Sequence, residues 1–264
     1  MGGVAQAPTP SLPVRGSIVV GRGSIVVGSG SIASSGTTMT ITQNTAKMAA
    51  DWQSFNIGQG NRVNFVQPSA SAVALNRVVG SDVSVIQGAL NANGHVFLIN
   101  PNGVLFTPTA QVNVGGIVAS TLNLSNADFQ AVNYKFEGSS ANAVVNEGNI
   151  SAVGDRGKGG TIALIAAKII NDGDLLANGG NVLIGAGSSV TLDLGGPVKL
   201  QVNKGAVDAL IQNNGAIQAD GGLVYLTAKG LNELTSATIN SAGLIRAQTL
   251  ATGYWRKGRN PADG

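Results

Sequence analysis

Few side chains in this 264-residue sequence have the types and spacing that catalysis or metal binding requires. The single histidine, His95, has neither a cysteine nor a second histidine to share a metal ion. A zinc site, a Ser-His-Asp triad and bis-histidine haem ligation within the chain therefore all lack support. We interpret His95 as a turn or strand residue.

The closest pair of carboxylates is Asp172 and Asp174. Carbohydrate-cleaving enzymes need convergent acids in a groove, but the 13 acidic residues here are spread singly along the chain. We interpret the pair as part of a solvated turn. Residues 155–160 loosely resemble a phosphate-binding loop, but they lack Gly-Lys-Ser/Thr and no helical pattern follows. The sequence therefore predicts no enzyme, no cofactor and no metal site.

The composition, with 43% hydrophobic residues, 11% charged residues and 38 glycines, predicts a folded chain with many turns. The absence of cysteine excludes disulfides and thiolate metal sites. Residues 254–264 carry three cations and one acid, a charge of +2 out of the total of +3, so the remaining chain carries only +1. A nearly neutral body predicts no nucleic-acid partner, despite a pI of 9.3.

Glycines recur at intervals that predict stacked coils. One set lies 25, 42 and 28 residues apart and comprises Gly148, Gly173, Gly215 and Gly243. A second set lies 20 and 42 residues apart and comprises Gly160, Gly180 and Gly222. Such periods are typical of solenoids, and we interpret the interval of 42 as two coils. The predicted fold is all-β, a right-handed parallel β-helix of about ten coils that forms a rod about 45–50 Å long.

Several segments depart from this repeat. Residues 16–33 repeat a Gly-Ser-Ile pattern and predict short strands that cap the first coil. Residues 47–52 are the only segment with plausible helix formers. Residues 123–140 predict an extra-helical β-hairpin, because apolar side chains alternate at Val132, Tyr134 and Phe136. Residues 1–14 form a predicted extended lead-in. No basic segment precedes an apolar core there, so we expect any signal peptide to have been removed.

Residues 94–122 contain the clearest single coil. Three short apolar runs are separated by two breakers, Asn100-Pro101-Asn102-Gly103 and Thr107-Pro108-Thr109. Proline at the second position and Asn-Gly after it suit a type I turn. Strand, turn, strand, turn and strand within about 20 residues are too short for helices and typical of one triangular β-helix coil.

This stretch, GHVFLINPNGVLFTPTAQVNVGGIVASTL, resembles the Asn-Pro-Asn-Gly region of two-partner secretion domains, the export modules of filamentous haemagglutinin-like exoproteins. Residues 52–79, WQSFNIGQGNRVNFVQPSASAVALNRVV, resemble the same module. Some members carry an upstream Asn-Pro-Asn-Leu motif. This chain has Phe-Val-Gln-Pro-Ser at residues 65–69, which is more similar to the high-molecular-weight adhesin branch.

The resemblance implies that residues 15–253 form a secretion domain and that residues 254–264 are a basic tail or a non-native remnant. It implies recognition by an outer-membrane β-barrel transporter with periplasmic polypeptide-transport domains. Export would pass through the periplasm of a Gram-negative bacterium to its surface or the medium. The predicted recognition residues are Asn100, Pro101, Asn102, Gly103, Trp52, Phe55, Asn56, Gln67, Pro68, Asn76 and Arg77.

Two function classes stay open at this point. The first is the secretion domain of an adhesin or haemagglutinin, whose passenger would contact host receptors or glycans and whose β-helix would continue in further coils. The second is a β-helix that binds or cleaves carbohydrate. The aromatic cluster around Trp52 and Phe55 also has two interpretations. Its side chains belong either to the core and cap or to an exposed patch for the export partner. Substitution of Asn100 or Asn102 by alanine is predicted to lower the free energy of unfolding by about 1–2 kcal/mol.

Overall fold

The computed structural model describes residues 14–15, 25–154, 159–195, 199–232 and 236–248. The predicted tail, nearly all of the predicted lead-in, and the greater part of the phosphate-loop-like segment lie outside the described residues. Strand is the main secondary structure of the described residues, which contain one five-residue helix. No helix in these ranges is both long and apolar enough to cross a membrane.

The first third contains β1 Val14–Arg15, β2 Ile25–Val27, β3 Gly30–Ser35, β4 Thr38–Gln43, β5 Lys47–Ser54, β6 Arg62–Val66, β7 Val73–Val78, β8 Ser84–Ile86 and β9 Ala89–Ala92. The middle contains β10 His95–Ile99, β11 Val104–Phe106, β12 Gln111–Val114, β13 Gly116–Ser120, α1 Asn126–Gln130, β14 Tyr134–Glu137, β15 Ala143–Asn146, β16 Asn149–Ala152, β17 Thr161–Ala166 and β18 Lys168–Asn171. The last part contains β19 Asp174–Leu176, β20 Asn181–Ala186, β21 Ser189–Leu192, β22 Leu200–Lys204, β23 Ala209–Asn213, β24 Ala216–Gln218, β25 Leu223–Ala228, β26 Ala237–Ser241 and β27 Ile245–Arg246.

Three parallel sheets form the faces of a β-helix. Sheet A contains β5, β7, β10, β13, β17, β20 and β25, and sheet C contains β8, β11, β15, β18, β23 and β26. Sheet B contains β4, β6, β9, β12, β16, β19, β24 and β27. The chain visits A, then C, then B, and returns to A one level higher. Residues 95–114 form one such coil, so the predicted triangular coil and parallel β-helix are confirmed.

Aliphatic side chains stack inside the coils in register. On sheet B, for example, Val112 lies between Leu90 on one neighbouring strand and Ile150 on the other. All three are at most 1% exposed. Each coil contributes only a few core residues. They are nevertheless buried, because the coils above and below cover the two open sides of the coil.

The number of coils is smaller than predicted. Sheet B, the longest column, has eight parallel strands in the described residues. Seven spacings of about 4.8 Å give a rod about 34 Å long. The interval of 42 residues between Gly173 and Gly215 is one coil rather than two, because β18 pairs directly with β23 and β19 with β24. The additional residues form the hairpin β21–β22.

An extra-helical layer covers the outer face of sheet A. Strands β14, β21 and β22 form an antiparallel sheet, and together with α1 they bury a second hydrophobic cluster. The ring of Phe97 on β10 lies 6.4 Å from that of Phe129 and 5.1 Å from that of Tyr134. Strands β10, β13, β17 and β20 of sheet A are thus buried on both faces, which explains their continuous apolar runs.

The hairpin predicted within residues 123–140 is wrong in its pairing. The segment begins with α1, whose N-cap Ser125 accepts a hydrogen bond from the N–H of Asp128 at 3.0 Å. Strand β14 pairs along its length with β21, far along the chain. Within residues 123–140 the described pairing is a single antiparallel bridge between Asn123 and Glu137. Val132, predicted to alternate with the buried residues, has φ of 59° and is 57% exposed.

The helix considered for residues 47–52 is also wrong. Residues Lys47–Ser54 form β5, which pairs with β7. Met48, Ala50 and Trp52 all point inward with no exposed surface. Alternate side chains of this segment are buried, and its backbone pairs with β7 over residues 47–52. These interactions outweigh the helix propensity of so short a segment.

The predicted N-terminal cap is confirmed in the described residues. Strands β1 and β2 pair antiparallel with β5 at the first edge of sheet A, and β3 pairs antiparallel with β4 at the first edge of sheet B. These strands satisfy backbone groups that would otherwise form open edges.

Glycines mark two corners of the coils because successive backbones approach closely there. Between sheets C and B, a Cβ atom on Gly215 would lie 1.9 Å from the carbonyl oxygen of Gly173, and the corner between sheets B and A is closer still. A Cβ atom on Gly160 would lie 1.7 Å from the carbonyl oxygen of Gly115, and one on Gly222 would lie 1.6 Å from that of Gly180. No side chain larger than hydrogen fits such a gap. The predicted link between glycine spacing and coil corners is confirmed.

Candidate functional site

The Asn-Pro-Asn-Gly turn connects β10 to β11 at the corner between sheets A and C. The N–H of Gly103 donates to the carbonyl of Asn100 at 3.0 Å, which closes a four-residue turn. Gly103 has φ of 115°, whereas Asn102 is not among the residues with positive φ. This agrees with the predicted type I turn, because type II requires positive φ at the third residue.

The side chain of Asn100 is fully buried and makes four hydrogen bonds. Its Nδ2 donates to the carbonyl of Asp82 at 2.8 Å and to the hydroxyl of Ser84 at 3.0 Å, both in the preceding coil. Its Oδ1 accepts from the backbone N–H of Asn102 at 2.9 Å and from the Asn102 amide at 3.0 Å. A satisfied buried amide of this kind fixes the turn to the coil beneath it.

The rest of the turn bonds to both neighbouring coils. Asn102 Nδ2 donates to the carbonyl of Gly80, before β8, at 2.8 Å. The carbonyl of Pro101 accepts from the hydroxyl of Ser140 at 2.6 Å and from the amide of Asn142 at 2.9 Å, both before β15. The turn therefore links three consecutive levels of sheet C.

Trp52, Phe55 and Asn76 form a buried cluster in the first coils. The indole Nε1 of Trp52 donates to Asn76 Oδ1 at 3.0 Å. The Trp52 and Phe55 rings meet edge to face at 5.3 Å. All three residues are at most 1% exposed. Of the two interpretations that the sequence left open, the structure places these aromatic side chains in the core.

Asn56 covers the first edge of sheet C. Its Oδ1 accepts from the backbone N–H of Val85 on β8 at 2.8 Å. The N–H of Ile57 donates to the carbonyl of Val85 at 3.0 Å. The Asn56 amide thus substitutes for a backbone acceptor on an edge strand.

Gln67 connects three levels of the stack from a buried position. Its Nε2 donates to Gln43 Oε1 at 2.9 Å and to the carbonyl of His95 at 3.2 Å. Its Oε1 accepts from the N–H of Gly94 at 2.9 Å. The adjacent Pro68 is exposed. Gln67 therefore sets the register between β4, β6 and β10.

Arg77 links the extra-helical layer to sheet A through an ion pair and hydrogen bonds. Its Nη2 lies 2.8 Å from Asp51 Oδ1 on the neighbouring strand. The same guanidinium donates to the carbonyl of Leu124 at 3.3 Å and to Asn126 Oδ1 at 3.1 Å. With its side chain only 16% exposed, Arg77 positions the start of α1.

The predicted recognition residues do not converge on one pocket. They lie in five places: the Asn-Pro-Asn-Gly turn, the cluster around Trp52, the first edge of sheet C at Asn56, the Gln67 contacts, and the Arg77 contacts on the outer face of sheet A. The sequence analysis missed their partners Gln43, Asp82 and Ser84. Gln43 carried a usable signal, because it precedes Gln67 by 24 residues, which is one repeat period. Each group joins successive coils and so stabilises the stack.

The residues considered for chemistry lie apart. Burial lowers the pKa of His95 below its ordinary value. Asp172 Oδ1 accepts from Asn214 Nδ2 of the next coil at 2.7 Å, and Asp174 is exposed on β19. In the part of the chain that the structure describes, no group of three or more His, Cys, Asp or Glu side chains could hold a metal ion.

Known proteins resemble this chain in sequence and fold. Residues 19–254 match a family model described as TPS secretion domain. Two heme/hemopexin-binding proteins of Haemophilus influenzae are 37% and 31% identical and cover 88% and 93% of the chain. The chain spans only about a quarter of these relatives, 25% and 28%. The crystal structure of the HMW1 secretion domain from Haemophilus influenzae matches with a TM-score of 0.67 at 28% identity, covering 84% of this chain and 65% of that one.

Proposed function

The chain belongs to the TPS secretion domain family, and from this premise we propose that residues 15–253 direct the export of a larger exoprotein. The observation that carries the proposal is the match of the family model to residues 19–254. The partner is an outer-membrane β-barrel transporter of a Gram-negative bacterium, which binds the chain through periplasmic polypeptide-transport domains. The exoprotein then reaches the cell surface or the medium.

Three of the predicted recognition residues are too deeply buried in the folded domain to contact a transporter. Asn100, Trp52 and Phe55 are at most 1% exposed in the folded domain, so a protein partner cannot contact their side chains there. We infer that the transporter binds residues 52–79 and 94–122 while the chain is unfolded or partly folded. The absence of cysteine supports this order of events, because no disulfide can lock the chain before transit.

After export, the domain serves as a template for the chain that follows. Strands β25, β26 and β27 each end their sheet within the described residues. Their outward edges present backbone N–H and C=O groups in the spacing that a further parallel strand requires. One formed coil therefore lowers the cost of ordering the next, as in other stacked-repeat folds.

For the exoprotein as a whole, we propose a role in adhesion at the cell surface. Host receptors or glycans would be bound by segments beyond this domain. The names of the two heme/hemopexin-binding relatives favour a second candidate, the capture of a host haem carrier. In either case, segments beyond this domain would bind the host molecule.

Co-expression of the chain with and without its transporter tests the export proposal. Wild type should accumulate in the medium only when the transporter is present. Deletion of residues 94–122 should abolish release, whereas Asn113→Ala, at an exposed position of β12, should leave release unchanged. Equal release with and without the transporter would refute the proposal.

A further inference from the structure

We propose that a polar groove on sheet B binds an acidic oligosaccharide through Arg62. The groove has a volume of about 520 Å³ and lies between the outer face of the sheet and the adjacent corner of the coils. Its size falls within the range typical of small-ligand sites. This proposal is independent of the export role, because it concerns a surface of the folded domain.

The strand register builds one wall and the floor of the groove. Thr38, Arg62, Ala89, Gln111 and Asn149 occupy the same position on five successive strands. They point outward because their inward-facing neighbours are buried. Ala89 is the smallest of the five and leaves a depression between Arg62 and Gln111, whose strands lie about 9.6 Å apart.

The corner of the coils builds the opposite wall. Gln59, Gln87 and Thr109 contribute amides and a hydroxyl from three successive turns. The Thr109 hydroxyl donates to the carbonyl of Gln87 at 2.8 Å, which holds the two turns together. A Cβ atom on Gly60 would meet no other atom within 4 Å, so the corner is open there. The groove is therefore elongated and runs across several coils, as an extended polymer would require.

The charge of the groove identifies the ligand class. Arg62 is exposed, and no carboxylate of the described residues forms an ion pair with it. The groove lining contains no Asp or Glu, so Arg62 gives it a net positive charge. A guanidinium binds a carboxylate through two parallel hydrogen bonds, while neighbouring amides and hydroxyls match the hydroxyl groups of a sugar.

Other ligands fit the groove less well. A nucleic acid would need several phosphate contacts and aromatic stacking platforms, yet the groove has one cation and no aromatic residue. An apolar peptide or small molecule would need hydrophobic side chains, of which Ala89, Ala110 and Pro108 are the only ones in the lining. A short chain of uronic acid sugars satisfies both the charge and the amides.

Calorimetric titration with tetragalacturonate and its fully methyl-esterified form tests the proposal. The two ligands share their hydroxyl groups and differ in charge. Wild type should bind the acid at least tenfold more tightly than the ester. Arg62→Gln should weaken binding of the acid by about tenfold or more, and Ala89→Leu should block both ligands by filling the depression. Lys168→Gln, which removes an outward-facing cation of sheet C, is the matched control and should bind as wild type does.

Each outcome decides the proposal, provided that circular dichroism shows all variants to be folded. Equal affinity for the acid and the ester would overturn the role of charge. Unchanged binding in both Arg62→Gln and Ala89→Leu would show that the ligand sits elsewhere. No measurable binding of tetragalacturonate at millimolar concentration would overturn the assignment of the groove.

Discussion

Replacing Asn100 by alanine should lower the free energy of unfolding by about 3 kcal/mol. The change removes four hydrogen bonds of a fully buried side chain. Each contributes about 1 kcal/mol net, and a buried partner left unsatisfied costs about 1–3 kcal/mol. Ser84 is itself 0% exposed and loses its partner, whereas Asp82 and Asn102 lie closer to solvent and can bond to water. The expected loss therefore exceeds the 1–2 kcal/mol that the sequence predicts.

Urea unfolding followed by circular dichroism measures this loss. Asn102→Ala should cost about 1 kcal/mol, because Asn102 is only partly buried and gives up two side-chain bonds. Asn113→Ala, with an exposed side chain, should stay within about 0.5 kcal/mol of wild type. If Asn100→Ala unfolds at the same urea concentration as Asn113→Ala, the side-chain network does not stabilise the turn and the reasoning fails.

Two further predictions concern a corner and a buried histidine. Gly160→Ala should lower the free energy of unfolding, measured in urea, by more than about 3 kcal/mol, because its Cβ would collide with the carbonyl oxygen of Gly115. Gly195→Ala is the control and should leave the free energy of unfolding nearly unchanged, because its Cβ would make only ordinary contacts. Because burial depresses the pKa of His95 from 6.5, the folded state disfavours its protonation, so stability should fall as pH drops below about 6.5. The decrease between pH 7.5 and 5 should be smaller in His95→Gln, and an identical decrease in both proteins would contradict this assignment.

The sequence predicted the repeat itself because its causes are local. Glycine at the corners, short β-branched runs and the Asn-Pro-Asn-Gly turn are each required by the backbone within one coil. The stacking of asparagines was also predictable. Asn146 Nδ2 donates to Asn171 Oδ1 at 2.8 Å, and Asn171 Nδ2 donates to Asn213 Oδ1 at 2.7 Å. Their recurrence beside corner glycines is visible in the sequence.

Register within the repeat was harder to predict. Aligning the last isoleucine before each corner glycine places Ile170 opposite Ile211. In the structure Ile211 pairs with Ile169, and Ile170 pairs with Gln212. A shift by one residue moves a side chain to the other face of the sheet. Since Ile169 and Ile170 are both isoleucine, the sequence alone cannot tell which one faces the core.

By itself, the sequence determined the fold class, the corner positions and the family, because these depend on local backbone requirements repeated along the chain. Only the tertiary structure decided the number of coils, the extra-helical layer and the burial of Trp52, Phe55 and Asn100. Strand β14 finds its partner β21 across many intervening residues, and Arg62 and Gln111 flank Ala89 only after the coils stack. Contacts between distant residues of this kind depend on which apolar surfaces remain uncovered once the coils have formed, and no local pattern encodes that.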